Sequence, residues 1–311
     1  MTEKKQILVT GGSGFIGSNL VDALVLQGHS VVVIDDLSTG IESNHNKSAT
    51  YLKIDLCRFI NQPDELVELL RKNEISTVFH LAASADVFLS MNNPEKVYTI
   101  NVLSSIALVR ACEKAEIKKF VFSSTSAVYG EPKYLPVDED HVTHPISPYG
   151  LSKLSFEQYL DYFSIGSEMS VTVFRLPNVY GLRQRPDLEG GVVAIFYDLM
   201  KQGKPVLIYG DGEQTRDWVY VDDIVNAFFK AIDYKEKFQI FLLGSNTKTS
   251  LNNLFECLKG ITNYKGTPKY TDERAGDIKN MVMSFTQASI FLEWKPNVVL
   301  SEGLNKLTKE A

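Results

Sequence analysis

The chain has 311 residues, of which 44% are hydrophobic and 23% are charged, and its formal net charge is −6. This composition excludes a disordered or fibrous protein, and the length suits one large domain or two smaller ones. The negative charge argues against a general nucleic-acid-binding protein, because such proteins present a basic face. An anionic ligand would need a pocket with basic residues of its own.

Cysteine usage and hydropathy indicate the compartment. The three cysteines, Cys57, Cys112 and Cys257, lie far apart and have no CxxC spacing, which argues against a zinc ribbon and a disulfide framework. The first apolar run is too short for a signal peptide, and no segment approaches the roughly 18 apolar residues of a membrane span. We therefore expect a soluble, cytoplasmic protein that binds no membrane.

Short apolar strands alternate with helices in the first half of the chain. The predicted strands are 7–10, 30–34, 51–54, 77–80, 120–123 and 171–174, and the predicted helices are 15–27, 63–72, 94–115 and 148–165. This alternation predicts βαβ units and a parallel sheet, and the continuous apolar run Val31–Ile34 suits a sheet covered on both faces. We predict an α/β fold with a doubly wound (Rossmann) parallel sheet.

The second half is less regular and predicts a second lobe. Its predicted elements are a helix near 192–202, a helix at 224–231, a strand at 238–243 that returns to the sheet, and a helix at 251–260, followed by irregular chain. We expect a dinucleotide-binding domain of residues 1–176 plus about 223–247. A smaller α/β substrate lobe would be built from the discontinuous segments of about 177–222 and 248–311.

Three glycines, Gly11, Gly14 and Gly17, lie between the first predicted strand and the first predicted helix. In this context one glycine permits the tight turn, one lets the backbone approach a pyrophosphate, and one lets helix and strand pack closely. The phosphates would lie at the helix N-terminus, beside Phe15 and Ile16. The alternative is a plain tight turn.

An acidic residue follows the second strand at the spacing that dinucleotide sites use. Asp35 lies 24 residues after Gly11, and Asp36 follows it. A carboxylate there accepts hydrogen bonds from the adenosine ribose and repels a 2′-phosphate, so the cofactor predicted is NAD rather than NADP. Asp55 and Leu56 follow the third strand, where an adenine can lie. The alternative for each of these acids is an ordinary loop residue.

Tyr149 and Lys153 are four residues apart and share one face of a predicted helix. A lysine ammonium beside a phenol favours the phenolate, so we expect a lowered pKa that suits a general base. Two other Tyr-x-x-x-Lys matches exist. One, at 129–133, contains Gly and Pro, and the other, at 197–201, lies in the second lobe away from the cofactor strands.

Further motifs extend the pattern: His80-Leu81-Ala82-Ala83, Ser-Ser-Thr-Ser-Ala-Val-Tyr-Gly at 123–130 and Ser-Pro-Tyr-Gly-x-Ser-Lys at 147–153. Together with the glycines and Asp35 they resemble the nucleotide-sugar epimerase/dehydratase group of the extended short-chain dehydrogenase/reductase family. The resemblance implies that Tyr149 and Lys153 are the catalytic pair and that Thr125 assists them. It also implies that NAD contacts Tyr149 and Lys153 together with Leu81, Ala82, Ala83 and Pro177.

The second lobe also resembles this family, and the likeness implies the substrate residues. Asn178, in Arg-Leu-Pro-Asn-Val-Tyr-Gly at 175–181, and Arg216, in the stretch 210–223, would meet the substrate diphosphate. Arg274 and Asp277, in Arg-Ala-Gly-Asp, would contact phosphate and nucleotide ribose, and Val192 would line the base pocket. Two arginine forks suit a diphosphate, although each alone could be a surface ion pair.

The residues after Thr125 bear on the reaction. The family's 4,6-dehydratases carry acidic groups there, whereas this chain has Ser126 and Ala127. The resemblance therefore implies NAD-dependent 4-epimerisation of a UDP-hexose, the pair UDP-glucose and UDP-galactose, through a transient 4-keto sugar, by a homodimer that needs no metal. UDP-GlcNAc or UDP-glucuronate epimerisation, 4,6-dehydration, 4-keto reduction and an NAD-sensing regulator stay open. Met281, expected near the sugar 2′-substituent, is a flexible residue that settles none of them.

Overall fold

Seven parallel strands form the central sheet in the computed structural model, which describes residues 4–188, 191–273 and 278–308. The strands are β1 (Gln6–Thr10), β2 (Ser30–Asp35), β3 (Thr50–Lys53), β4 (Thr77–His80), β5 (Lys119–Thr125), β6 (Ser170–Leu176) and, later in the chain, β11 (Phe238–Leu242). Their order is β11-β6-β5-β4-β1-β2-β3. The chain reverses direction across the sheet between β1 and β4, which places a ligand crevice at the carboxyl ends of these two strands.

Both faces of this sheet are buried. Along β1, Ile7 and Val9 belong to one hydrophobic core and Leu8 to the other, because successive side chains of a strand point to opposite faces. The covering helices in the first half are α1 (Phe15–Leu26), α2 (Pro63–Lys72), α3 (Val87–Asn92), α4 (Pro94–Tyr98), α5 (Ser104–Lys114) and α6 (Pro148–Ser164). The predicted doubly wound fold is confirmed.

The predicted helix 94–115 contains an irregularity that its hydrophobic pattern does not indicate. A π-helical turn, Thr99–Leu103, separates α4 from α5. Within it the buried Asn101 accepts a hydrogen bond from the Ser84 backbone and donates to the Ser84 carbonyl and the Ser152 hydroxyl. The turn thus joins the segment after β4 to α6.

The second half contributes smaller sheets and further helices. They are β7 (Asn178–Tyr180), α7 (Val192–Lys201), β8 (Leu207–Tyr209), β9 (Thr215–Arg216), β10 (Trp218–Tyr220), α8 (Val221–Lys230), β12 (Thr249–Ser250), α9 (Leu251–Thr262), β13 (Lys269–Thr271), α10 (Thr286–Leu292) and α11 (Leu300–Lys306). The pairs β7–β10, β9–β12 and β8–β13 each form a two-stranded sheet. No helix within the described ranges is long and apolar enough to cross a membrane.

The expectation of irregular chain after residue 260 was wrong, as was the omission of α3. The helices α10 and α11 have seven residues each, and α3 has six. Helices this short span barely two turns, so they show too little hydrophobic periodicity to be recognised from sequence. Tertiary packing stabilises them instead, since Leu292 and Leu304 are buried in the main core.

Asp217 connects three segments of the second half of the chain. This fully buried carboxylate lies between β9 and β10 and accepts hydrogen bonds from the Ser245 backbone and hydroxyl and from the Met283 backbone. The three segments are held together because each buried N–H group needs an acceptor.

We expect Asp217→Asn to lower the free energy of unfolding by about 1–3 kcal/mol, because its amide nitrogen would leave a buried donor without an acceptor. Urea denaturation measures the loss. The matched control is Asp222→Asn, because the Asp222 side chain is 59% exposed in its ion pair with Lys306. Such a pair contributes about 1 kcal/mol at most. Equal losses in the two variants would contradict the account of Asp217.

Candidate functional site

The glycine loop packs directly against the segment that follows β4. The Gly11 backbone has φ +73°, and a Cβ atom built there would lie 2.7 Å from the Ala82 nitrogen. The Leu81 backbone donates to the Thr10 carbonyl, and the Ala82 backbone to the Thr10 hydroxyl. The predicted cofactor residues Leu81, Ala82 and Ala83 therefore lie beside the loop, at the switch point of the sheet.

The start of α1 has the features of a phosphate site. Gly14 caps the helix without a side-chain hydrogen bond, and the first turn, among the described residues, contains no acidic side chain. The first-turn N–H groups at Phe15 and Ile16 are therefore available to bind an anion, because no carboxylate of that turn competes for them. A Cβ atom at Gly17 would lie 2.1 Å from the Gly11 carbonyl oxygen, so close packing requires glycine there. This cradle fits the pyrophosphate of a dinucleotide.

The predicted ribose and adenine residues take different positions. Asp35 ends β2 and accepts hydrogen bonds of 2.9 Å from the backbones of Ser13 and Leu37, which places its carboxylate beside the glycine loop. Asp36 is exposed and caps the next turn. Asp55 is exposed as well, and Leu56 is buried in the core under the sheet. Of the four, Asp35 has the geometry for a ribose contact.

The three predicted catalytic residues come from two adjacent elements. Thr125 ends β5, and its side chain lies close to Tyr149 in the first turn of α6. Ser147 begins this helix by accepting the Gly150 N–H, which fixes the position of Tyr149. Lys153 follows one turn later, is 3% exposed and donates to the Ser123 carbonyl at 2.8 Å. The structure therefore brings Thr125, Tyr149 and Lys153 together.

Burial governs the ionisation of this pair. It raises the pKa of Tyr149, and the nearby Thr125 side chain opposes the shift. Burial also lowers the pKa of Lys153 to about 7, and the charge of Glu157 opposes that shift. The expected lowering of the Tyr149 pKa is wrong for this structure, because burial raises that pKa by more than its neighbours lower it.

His80 is a structural residue at the end of β4. Its ring nitrogens lie 2.7 Å from the hydroxyls of Thr10 and Ser105, and the ring is fully buried. Burial and the nearby charge of Lys153 lower the His80 pKa to about 3, so the imidazole is neutral. It joins β4 to β1 and α5.

The predicted substrate residues lie beyond the carboxyl end of β6. Pro177 is buried immediately after that strand, and Asn178 begins β7 opposite Trp218 of β10. Arg216 lies two residues before Trp218, and its guanidinium donates to the Thr215 carbonyl at 2.9 Å. Val192 begins α7 and is partly buried against the main core.

Two further sequence expectations concern the nucleotide and the sugar. Arg274 and Asp277 lie outside the described residues. Met281, expected near the sugar 2′-substituent, is 2% exposed and packs in a small hydrophobic cluster with Val128 and Tyr129. Its side chain is therefore a neighbour of the turn that follows Thr125.

Sequence reasoning missed the polar residues that hold the site together. Asn101 in the π-helical turn joins two site segments, and a lone Asn in a helical pattern gives no signal for that role. Glu157 and Arg175 form a buried ion pair, 2.6 Å between Oε2 and Nη2, beneath the catalytic residues. The available signal was Glu157, a charged residue one turn beyond Lys153 on the same helix face.

Comparison with known proteins agrees with this geometry. The profile of the NAD dependent epimerase/dehydratase family matches residues 7–244. A UDP-glucose 4-epimerase from Mycolicibacterium smegmatis is 37% identical over 300 residues, which cover 96% of each chain.

Two solved structures are similar over nearly the whole chain. One is a UDP-glucose 4-epimerase from Thermotoga maritima with UDP-glucose; it has a TM-score of 0.93 at 41% identity and covers 97% of this chain and 96% of its own. The other is a UDP-N-acetylglucosamine 4-epimerase from Methanobrevibacter ruminantium in complex with UDP-N-acetylmuramic acid. It has a TM-score of 0.92 at 34% identity and covers 99% of this chain and 98% of its own.

We expect Gly17→Ala to lower the free energy of unfolding by about 1–3 kcal/mol, because the new methyl group would overpack the loop. Chemical denaturation measures this loss. The control is Gly260→Ala on α9, where a Cβ atom would meet nothing within 4 Å. That substitution should be neutral or stabilise by up to about 1 kcal/mol. A stable Gly17→Ala protein would contradict the close approach.

Proposed function

The chain belongs to the NAD dependent epimerase/dehydratase family, and from that premise we propose that it interconverts the C4′ epimers of a UDP-hexose, with UDP-glucose and UDP-galactose as the pair. The observation that carries this proposal is the close placement of Thr125 and Tyr149 beside the buried Lys153. Such a set provides one proton carrier, which is what a 4-epimerase needs. The relatives named UDP-glucose 4-epimerase support the choice.

The NAD cofactor of this family fits the cradle. The glycine loop and the α1 N-terminus would hold the pyrophosphate, Asp35 would accept from the adenosine ribose, and Lys153 would donate to the nicotinamide ribose. Bound NAD supplies the group that takes a hydride from the sugar C4′ and returns it. The main-chain segment Leu81–Ala83 would form one wall of this site.

Proton transfer belongs to Tyr149. Its phenol oxygen would remove the proton of the sugar 4′-hydroxyl. The Thr125 hydroxyl would hydrogen-bond the sugar 4′-oxygen and hold it in place. Because burial raises the Tyr149 pKa, the phenolate requires a positive neighbour, and the ammonium group of Lys153, one turn away, is the group of this chain that provides it.

Substrate binding belongs to the second lobe. Asn178 and Arg216 would bind the diphosphate, and Arg274 and Asp277 would join them as the family resemblance implies. A sugar tethered only through its diphosphate can turn within the site, so that the 4-keto sugar presents its other face before it is reduced. We assign this lobe to about 177–222 and 248–311 and cofactor binding to 1–176 and about 223–247.

One other substrate of this family, UDP-N-acetylglucosamine, is also a candidate. A UDP-N-acetylglucosamine 4-epimerase is structurally similar, and the flexible Met281 next to Val128 could make room for an N-acetyl group. A 4,6-dehydratase is disfavoured, because Ser126 and Ala127 provide neither an acid nor a base.

We also propose that the protein is a homodimer. Apolar side chains that a folded monomer leaves in water mark an interaction surface when they cluster. Tyr98 (43% exposed) and Leu103 (42%) on the helical segment 94–114, and Leu151 (52%) on α6, are such side chains. The family resemblance implies that the helix through 102–115, which carries Leu103, and the helix of Tyr149, which carries Leu151, form the contact between subunits.

We expect the purified protein to convert UDP-galactose to a steady mixture with UDP-glucose, without added NAD, as resolved by chromatography over time. Tyr149→Phe should lower kcat by about 10²–10⁴-fold, because it removes the proton carrier. Tyr162→Phe, on the same helix but 74% exposed, should retain activity. A stable keto product would contradict the proposal and favour a dehydratase, and turnover of UDP-GlcNAc alone would reassign the substrate.

A further inference from the structure

A buried polar cluster lies beneath the catalytic residues. Arg175 donates from Nε and Nη2 to the Glu157 carboxylate, at distances of 2.6–3.2 Å, and from Nη1 to the Tyr129 hydroxyl at 2.7 Å. Ser124 donates to Glu157 as well. All four side chains are at most 5% exposed. An ion pair that is buried to this degree is expensive to desolvate and is retained where its hydrogen bonds satisfy both partners.

The cluster joins every segment that carries a catalytic residue. Ser124 precedes Thr125 in β5, and Glu157 lies one turn after Lys153 in α6. Arg175 lies in β6, two residues before Pro177. The cluster therefore fixes the two elements of the catalytic set relative to each other and to the strand that leads to the substrate lobe.

Two consecutive residues of β5 bind two charged side chains of α6, Lys153 and Glu157. The Ser123 carbonyl accepts from Lys153, and the next residue, Ser124, donates to Glu157. Because Lys153 and Glu157 are four residues apart on one helix face, this places the carboxylate and the ammonium group along the same stretch of β5.

The surroundings of Lys153 contain few other charges. The ammonium group lies 4.7 Å above the Phe122 ring, which also stacks on the neutral His80 of β4. Within the described residues, the ionisable groups that face it are His80, Tyr149 one turn earlier on α6, and Glu157, with Arg175 of β6 behind the carboxylate. Glu157 is the one negative charge of this set.

We propose that Glu157, held in place by its ion pair with Arg175, is a positioning residue that keeps Lys153 in its ammonium form. The catalytic meaning of this charge rests on the proposed function, because it is Tyr149 that the ammonium group is to activate. The charge itself does not depend on which substrate binds. Loss of the carboxylate leaves the positive charge of Arg175 uncompensated, and the Lys153 proton then dissociates at lower pH.

The direct test is an NMR titration of the wild-type protein labelled with ¹³C at lysine Cε, with Lys153 assigned by Lys153→Arg. We expect Glu157→Gln to lower the Lys153 midpoint by about one pH unit or more. Lys119 is an internal control, since burial lowers its pKa to about 7 as well. It lies at the other end of β5 and donates to Thr172 and the Tyr234 carbonyl, so its midpoint should not move.

Two further variants separate charge from packing. Tyr129→Phe removes the hydroxyl that Arg175 binds but retains both charges, so the Lys153 midpoint should stay at its wild-type value while stability falls. If Glu157→Gln alone does not fold, the double variant Glu157→Gln/Arg175→Met removes both buried charges, which is often tolerated. The Lys153 midpoint should again fall, by a smaller amount. An unchanged midpoint in the folded Glu157 variant would overturn the proposal.

Activity provides the second readout. In Glu157→Gln, the alkaline limb of the kcat profile with UDP-galactose should move to lower pH, because the ammonium form persists over a narrower range. A moved Lys153 midpoint in a protein that epimerises no UDP-hexose would refute the proposed function and leave this inference intact. Epimerase activity with an unmoved midpoint would refute the inference alone.

Discussion

The site depends on one buried ion pair, that of Glu157 and Arg175. Two charges taken out of water are stable only if each finds the other and their remaining hydrogen-bonding groups are satisfied. The Ser124 and Tyr129 hydroxyls complete that requirement. The ion pair thereby fixes the carboxyl ends of β5 and β6 against α6, and Thr125, Tyr149 and Lys153 lie there. A small displacement of any one element would break the pair.

A second constraint acts on the cofactor side of the sheet. The glycine loop lies so close to the backbone after β4 that no side chain fits at Gly11, and α1 begins so close to the loop that none fits at Gly17. These contacts leave the first turn of α1 open to an anion. The glycine loop contacts the segment after β4, and the ion pair fixes the neighbouring strand β5. The phosphate cradle and the predicted catalytic pair therefore lie at one edge of the sheet.

The sequence was sufficient for the sheet, and it also singled out Thr125, Tyr149 and Lys153, which the structure brings together. Fully buried strands give continuous apolar runs, and helix α2 shows clear periodicity, so their bounds were predicted within a few residues. The residues with a strict spacing, Gly11 to Gly17 and Tyr149 to Lys153, were found because their chemistry requires that spacing. Both kinds of signal are local in the chain.

The remainder depends on contacts between distant residues. Asn101 acts through Ser84 and Ser152, and Arg175 through Glu157, and nothing near either residue in the sequence indicates its partner. The raised pKa of Tyr149 follows from burial, which a residue pattern does not contain. The short helices α10 and α11 are stable only against the completed core. The sequence therefore identified candidate reactive groups, and the structure identified the contacts that hold these groups in place and affect their charge.

We propose that this site epimerises C4′ of a UDP-hexose by moving a hydride that never reaches solvent. UDP-galactose carrying deuterium at C4′, incubated with the protein in ordinary water, tests it most directly when the UDP-glucose formed is examined by mass spectrometry and proton NMR. The account predicts that the product retains the deuterium at C4′. Loss of that deuterium to water would contradict the account, because it would show that C4′ is deprotonated rather than oxidised.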